Sequence, residues 1–143
     1  MSFDLQILNG DFVLSNGDLS IIRNNDKLVQ DLLKIALTTI GSNPLQPWYG
    51  SMISRTLIGS AMTDDITVAA AQSQLQTAIE TLKSLQAIQV SQGVSVTPGE
   101  QIAAIQSVQI NRNTIDPRFF TVLIRVLDRT FGSVGASFNA STV

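Results

Sequence analysis

The residues that could do chemistry here are carboxylates. The chain has 11 Asp and Glu but no His and no Cys. A Ser-His triad, a thiol nucleophile, a Cys/His zinc site and a disulfide are therefore all excluded. What carboxylates can do in pairs is glycoside hydrolysis. That needs one acid kept protonated and a second carboxylate across the scissile bond. The candidates are Asp64, Asp65, Glu80, Glu100 and Asp116. Asp64 and Asp65 stand where a helix starts, so capping explains them more simply. Glu80 reads as helix surface, Glu100 follows Pro98-Gly99 in a loop, and Asp116 precedes Pro117-Arg118 in a turn or local ion pair. None of these settings predicts a raised pKa, and no catalytic residue is assigned.

Cofactor chemistry is equally thin. Asn24-Asn25-Asp26 and Asp64-Asp65 offer oxygen atoms but lack the spaced Asp/Asn-Gly-Glu loop of a calcium site. No Gly-rich phosphate loop is present. No metal or other cofactor is expected. The net charge of −2 gives no general attraction to nucleic acid or anionic lipid. No apolar run is long enough to span a membrane, and the N-terminal residues lack a signal-peptide pattern. The charge is uneven: Asp4, Asp11, Asp18, Asp26 and Asp31 lead the chain, and Arg112, Arg118, Arg125 and Arg129 lie near its end. Solvated surface accounts for this, and so would two oppositely charged faces in an assembly.

The elements that must position these groups read as follows. With 143 residues, 44% hydrophobic and 14% charged, the chain is expected to form a single domain with a real core. Residues 3 to 23 read as two short strands with Asn-Gly turns. Asn24-Asn25-Asp26 would cap a helix starting near Lys27, with Leu28, Leu32 and Ile35 on its apolar stripe. Thr38, Thr39 and Gly41 end it, and Pro44 and Pro47 stiffen the next loop. Pro47-Trp48-Tyr49-Gly50 follows. Trp48 is expected as a core plug in preference to a partner hot spot, with Tyr49 pointing the other way. Ser51 to Ile58 reads as a short helix. A long one follows from Thr63-Asp64-Asp65 to about Leu85. Ile88 to Thr97 reads as a loop or short edge strand. Strands follow at Ile105 to Ile110, Phe119 to Leu127 and Phe131 to Phe138, the last with Val134, Ala136 and Phe138 on one face. Residues 139–143 read as a loose tail. No internal repeat is read. Strands, then helices, then strands argue for α+β: a sheet with N-terminal and C-terminal hairpins and two to three helices packed on it.

Two stretches carry a resemblance. One is the helix Leu28 to Ile40 running through Gly41 to Pro47-Trp48-Tyr49-Gly50-Ser51. The other is Asp116-Pro117-Arg118 entering a strand. Together with Gly17-Asp18-Leu19 they resemble the baseplate wedge and sheath-initiator family of contractile tails. That family includes type VI secretion relatives and once carried a lysozyme-like label. The resemblance implies a structural protein of a virion tail baseplate, made in the host cytoplasm and present in multiple, six-fold copies. It implies wedge proteins, the sheath protein and the tail tube or hub as partners, and sheath initiation by strand addition. It marks Pro47, Trp48, Tyr49, Gly50, Asp116, Pro117, Arg118, Phe131, Val134 and Phe138 as structural or interface residues. Where relatives read Gly-Glu-Arg, this chain has Gly41-Ser42-Asn43, so two charges are missing. Arg55 and Arg118 are the candidates to compensate. The other readings are a peptidoglycan-degrading glycosidase and a free-standing binding domain.

Overall fold

The computed structural model describes residues 2–56 and 65–141. The fold is α+β. Its main sheet is antiparallel, in the order β7 (Ile102–Arg112), β8 (Phe119–Asp128), β9 (Ser133–Ser141). Helix α1 (Asn24–Leu37) packs against β9, and helix α3 (Asp65–Ser91) packs against β7 and α1. A four-residue helix, α2 (Ile53–Thr56), sits beside α3.

The core follows from strand alternation. Phe120, Val122, Ile124 and Val126 all point from β8 to the helices and are buried. They meet Leu28, Leu32 and Ile35 of α1 and Leu75 and Ile79 of α3 in one cluster. Fully burying such a side chain contributes about 1.5–3 kcal/mol, so this one face supplies much of the stability.

Residues 4 to 22 do not form two strands. They form six, each two residues long: β1 (Asp4–Leu5), β2 (Ile7–Leu8), β3 (Asp11–Phe12), β4 (Leu14–Ser15), β5 (Asp18–Leu19) and β6 (Ile21–Ile22). They pair as β1 with β6, β2 with β3 and β4 with β5. The result is three leaves around a closed triangle of backbone hydrogen bonds. Gln6 N–H donates to Ser20 O, Ser20 N–H to Val13 O, and Val13 N–H to Gln6 O, at 2.8–3.0 Å. The three corner residues stand seven apart. So do Asp4, Asp11 and Asp18, which open one strand of each leaf. An internal repeat is therefore present: Asp4 to Gly10, Asp11 to Gly17 and Asp18 to Asn24. Asn9-Gly10 and Asn16-Gly17 turn the second and third leaves with positive φ at all four residues, the geometry of a two-residue hairpin turn.

Other boundaries also differ from expectation. Helix α1 starts at Asn24, before Lys27. Its N-cap is Arg23, with no side-chain cap. Asn24 and Asn25 bond to distant parts of the chain. Asn24 Oδ1 accepts from Thr97 Oγ1 at 2.9 Å. The Asn25 amide, in the orientation that satisfies both acceptors, donates to Gly99 O and Asp128 Oδ2. Helix α3 runs six residues past Leu85 to Ser91. Ile88 and Val90 are therefore helical, because an established helix extends at little cost and outweighs β-branched preference. Residues 139–141 belong to β9, with Ala140 buried against the sheet, so they are no loose tail. Phe131 lies in the β8–β9 turn at φ 65°, 83% exposed, and not in the strand. Thr63, Asp64, Leu57 and Ile58, expected in a cap and a short helix, lie outside the described residues.

The connection from α1 to α2 closes on itself. Ser51 N–H donates to Thr38 O, Ile40 N–H donates to Ser51 O, and Ser51 Oγ donates to Ala36 O. Gly50 makes this possible. Its φ is 124°, and a Cβ there would lie 2.5 Å from Thr38 O and 2.9 Å from Ile40 N. Both neighbours are backbone and cannot give way. Gly50→Ala should therefore lower stability by about 1–3 kcal/mol or more, through backbone strain and loss of this clasp. Chemical denaturation would check it.

Candidate functional site

The carboxylates come first, since any catalysis would rest on them. Asp128 is wholly inaccessible. Its Oδ1 accepts from Thr130 N–H at 2.8 Å, Thr130 Oγ1 at 2.6 Å and Gly132 N–H at 2.8 Å. Burial would raise its pKa, but the bonds from Thr130, Gly132 and Asn25 outweigh it and hold the carboxyl below the usual range. Glu100 is also wholly inaccessible. It closes a capping box on the 3-10 turn Pro98–Glu100, and its carboxylate faces Thr97 N–H at 3.3 Å and Asn24 N–H at 3.4 Å. Gln86 joins the same knot, donating to Glu100 O at 2.7 Å and accepting from Ile102 N–H at 2.8 Å. These two acids are fastened to backbone and hold the turns at one end of the sheet.

Asp116 and Arg118 form the expected local ion pair. Arg118 Nε and a terminal guanidinium nitrogen donate to the two carboxylate oxygens at 3.1 and 2.9 Å. Arg118's bonds push the Asp116 pKa down. The pair is solvent-exposed and orders the β7–β8 turn. Arg118 is thus engaged with Asp116. Glu80 is exposed on α3, and Asp65 opens that helix.

One acid escaped the sequence reading. Burial raises the Asp31 pKa against the pull of Lys27, which pairs with it at 2.7 Å across one helical turn. Asp31 lines a small hollow of about 230 Å³ with Lys27, Gln46, Trp48, Tyr49 and Gln86. Sequence could place Asp31 off the apolar stripe but could not show that the Trp48-Tyr49 loop folds over it. Asp4, the nearby acid that also acts on Tyr49, goes the other way. Burial alone would raise it, but hydrogen bonds from Lys34 and Gln30 and the Lys34 charge hold it down. Among the described residues no three acids cluster as a metal would require.

Trp48 is not the core plug. It is 45% exposed, while Tyr49 is half-buried and packs on the core. The two rings meet edge to face with centroids 6.3 Å apart. Tyr49's pKa rises to about 12, first through burial and then through the Asp31 and Asp4 charges. The loop is not extended at this point: Tyr49 N–H donates to Gln46 O at 3.1 Å, closing a turn through Pro47 and Trp48, and the residue packed on the core is Tyr49.

The sheet has two edges, and they differ. Along β7, the Gln72 side chain of α3 donates to Val108 O, and the pairing with β8 shifts register twice. Side-chain capping and irregular pairing are both ways to block an edge. Along β9 the pairing with β8 runs unbroken for nine residues. The strand, Ser-Val-Gly-Ala-Ser-Phe-Asn-Ala-Ser, has no charge and no proline. Val134, Ala136 and Ala140 are buried, and Phe138 packs partly against the core. Ser133, Gly135, Ser137, Asn139 and Ser141 face out and carry little bulk. No described strand pairs with the outer edge of either β7 or β9. The expected interface residues therefore separate. Val134 and Phe138 anchor the open edge from inside, Phe131 stands exposed at its start, and the Pro47–Gly50 loop and Asp116–Arg118 turn lie on other elements.

No family model matches the chain, and no curated protein matches it. Among solved structures it is similar to a protein from Geobacter sulfurreducens that carries the provisional name tail lysozyme. The two are 13% identical, with a TM-score of 0.61 over 93% of this chain and 97% of the other. At that identity the likeness shows a shared fold.

Two outcomes follow. Trp48→Ala should cost only about 1 kcal/mol in the isolated protein, an ordinary single-site loss, because much of the ring already faces solvent. A cost of several kcal/mol in thermal unfolding would restore Trp48 to the core. Asp128→Asn should destabilise the protein by about 1–3 kcal/mol at neutral pH, since it leaves the Thr130 and Gly132 donors poorly satisfied. The folded pKa of Asp128 lies below the ordinary 3.8, so its contribution is present above that value and lost as pH falls through the folded pKa. The gap between wild type and variant should therefore narrow on acidification below pH 3.8, as denaturation across a pH series would reveal.

Proposed function

We propose that the chain is a structural component of a contractile tail baseplate, and that it starts the sheath by accepting a strand on β9. The carrying observation is the contrast between the irregular, side-chain-bonded edge strand β7 and the regular nine-residue edge strand β9. An added strand would gain main-chain hydrogen bonds along β9, and the small Gly, Ser and Asn side chains would let a neighbouring chain approach closely. The Geobacter protein of the same fold bears a tail-protein name, and the Trp48 and Asp116 motifs resemble the wedge and sheath-initiator family. In this reading the partners are other wedge proteins, the sheath protein and the tail tube or hub. The chain acts in six-fold multiple copies in the virion tail, without cofactor, nucleic acid or membrane. The buried carboxylates serve architecture and not bond cleavage.

The test must spare the core, because deleting the chain from Phe131 onward would also remove Val134, Ala136 and Phe138. Ser137→Lys with Asn139→Lys changes only outward positions and charges the edge. The double variant should melt like wild type and enter baseplates, but electron micrographs should show no sheath on them. Full sheaths from this variant would overturn strand addition at β9. The glycosidase reading draws on the neighbour's lysozyme name and on Asp31's raised pKa. Release of muropeptides from cell-wall sacculi, abolished by Asp31→Asn with melting unchanged, would establish it in place of the structural one.

A further inference from the structure

The N-terminal leaves repeat one site three times, and the chain fills it once. At the first leaf, Gln30 of α1 reaches the backbone on both sides of corner residue Gln6. It donates to Leu5 O at 2.8 Å and accepts from Ile7 N–H at 2.8 Å. It also donates to Asp4 Oδ2 at 2.9 Å, and Lys34, one turn later, pairs with the same oxygen. Gln30 is itself buried by this contact. Leu33 and Leu37 line the groove beside it with Ile7, Asn9 and Gly10 of the second leaf, so the site is the seam between the first and second leaves. An amphipathic helix with an amide and a cation four residues apart thus reads a seam through its backbone, its Asp and its apolar side.

The same register places the equivalent groups at the other two seams: Asp11 and Phe12 O of the second leaf with Leu14 N–H of the third, and Asp18 and Leu19 O of the third with Ile21 N–H of the first. Asp11 binds its neighbour's N–H as Asp4 does, at 2.8 and 2.9 Å. Yet among the described residues neither Asp11 nor Asp18 has an ion-pair partner, and no described side chain bonds Leu14 N–H or Ile21 N–H. Phe12, Leu14, Leu19 and Ile21 are 45–66% exposed. Two-residue hairpins without a core of their own gain stability only by packing on something else, and an exposed apolar patch of this kind marks an interaction surface.

We propose that the seam between the second and third leaves and the seam between the third and first leaves each dock an amphipathic helix of a partner protein, bearing Gln or Asn and, four residues later, Lys or Arg. The template is α1 at the seam of the first and second leaves, and the charge argument agrees: a bare carboxylate beside apolar side chains selects a cation beside apolar side chains. A second copy of this chain is a poorer occupant. Its own α1 is already engaged, and leaf against leaf would bring Asp11 and Asp18 against like charges. The proposal does not depend on strand addition at β9, and it can stand or fall alone.

The probe is a stapled helical peptide of residues 24–37, which carries Gln30 and Lys34. It is titrated into the full isotope-labelled chain and followed by backbone amide resonances. Shifts should centre on Phe12, Leu14, Leu19 and Ile21. Asp11→Asn and Asp18→Asn, at exposed positions, should leave melting unchanged and each weaken binding about fivefold, as expected for an ion pair near 1 kcal/mol. A peptide with Gln30→Ala and Lys34→Ala should not bind. Absence of leaf shifts at the peptide's solubility limit would refute the proposal. So would binding indifferent to the Asp substitutions, or shifts confined to Leu5, Ile7, Asn9 and Gly10, the seam α1 already fills, through displacement of α1. Self-association of the chain alone, mapped to these leaves by the same resonances, would make a second copy the occupant and also overturn it.

Discussion

Helix α1 is the element on which the rest of the structure hangs, because it is gripped on opposite sides by different physics. Leu28, Leu32, Ile35 and Ala36 have no accessible surface and tie it to the sheet and α3. Gln30 and Lys34 tie its other side to the first leaf by hydrogen bonds and an ion pair. Its start is fixed by Asn25 to Gly99 and Asp128, and its end by Ser51 to Ala36 and Thr38. The apolar contacts supply the energy, since polar contacts mostly exchange water bonds for protein bonds. The polar ones fix position, because each is satisfied only in one register.

That division explains what could be read from the residues alone. The stripe on α1 and the alternation of β8 were legible because burial imposes a period on the sequence. The Asp116-Arg118 turn was legible because its partners are two residues apart. The Asn24-Asn25 pair misled because Asn near a helix start is most often a cap. Here both side chains bond across more than seventy residues, to Thr97, Gly99 and Asp128. Ile88 and Val90 misled because propensity is weak beside a helix already 23 residues long at that point. Glu100, Asp31 and Tyr49 owe their settings to loops that fold over them, and no local pattern records that. The leaves are a different case. Their seven-residue repeat stands in the sequence at Asp4, Asp11 and Asp18, but a two-residue strand leaves no alternation to detect.

The carboxylates of this chain are perturbed in opposite directions, and the sign has a structural meaning. Asp4 and Asp128 lie below the ordinary value because donors surround the charged form. They stabilise the fold above the carboxylate range and stop doing so as pH falls through their folded values. Asp31 lies above it because burial outweighs Lys27, so protonation of that one group favours the folded state. Asp4, Asp128 and the exposed Asp116 favour neutral pH, and Asp31 opposes them. A raised carboxyl in a hollow is a common mark of an active site. Here the neighbouring acid, Asp4, is engaged by Lys34 and Gln30.

The surfaces of the chain show where its stability was not maximised. A free monomer is better served by an irregular, side-chain-bonded edge, as on β7, than by the regular nine-residue edge of β9. It is better served by leaves with a polar coat than by Phe12, Leu14, Leu19 and Ile21 in solvent. Both departures cost solubility and add nothing to the core, which is complete without them. They lie on different elements, one on the C-terminal strand and one on the N-terminal repeat, with α1 packed between β9 and the first leaf.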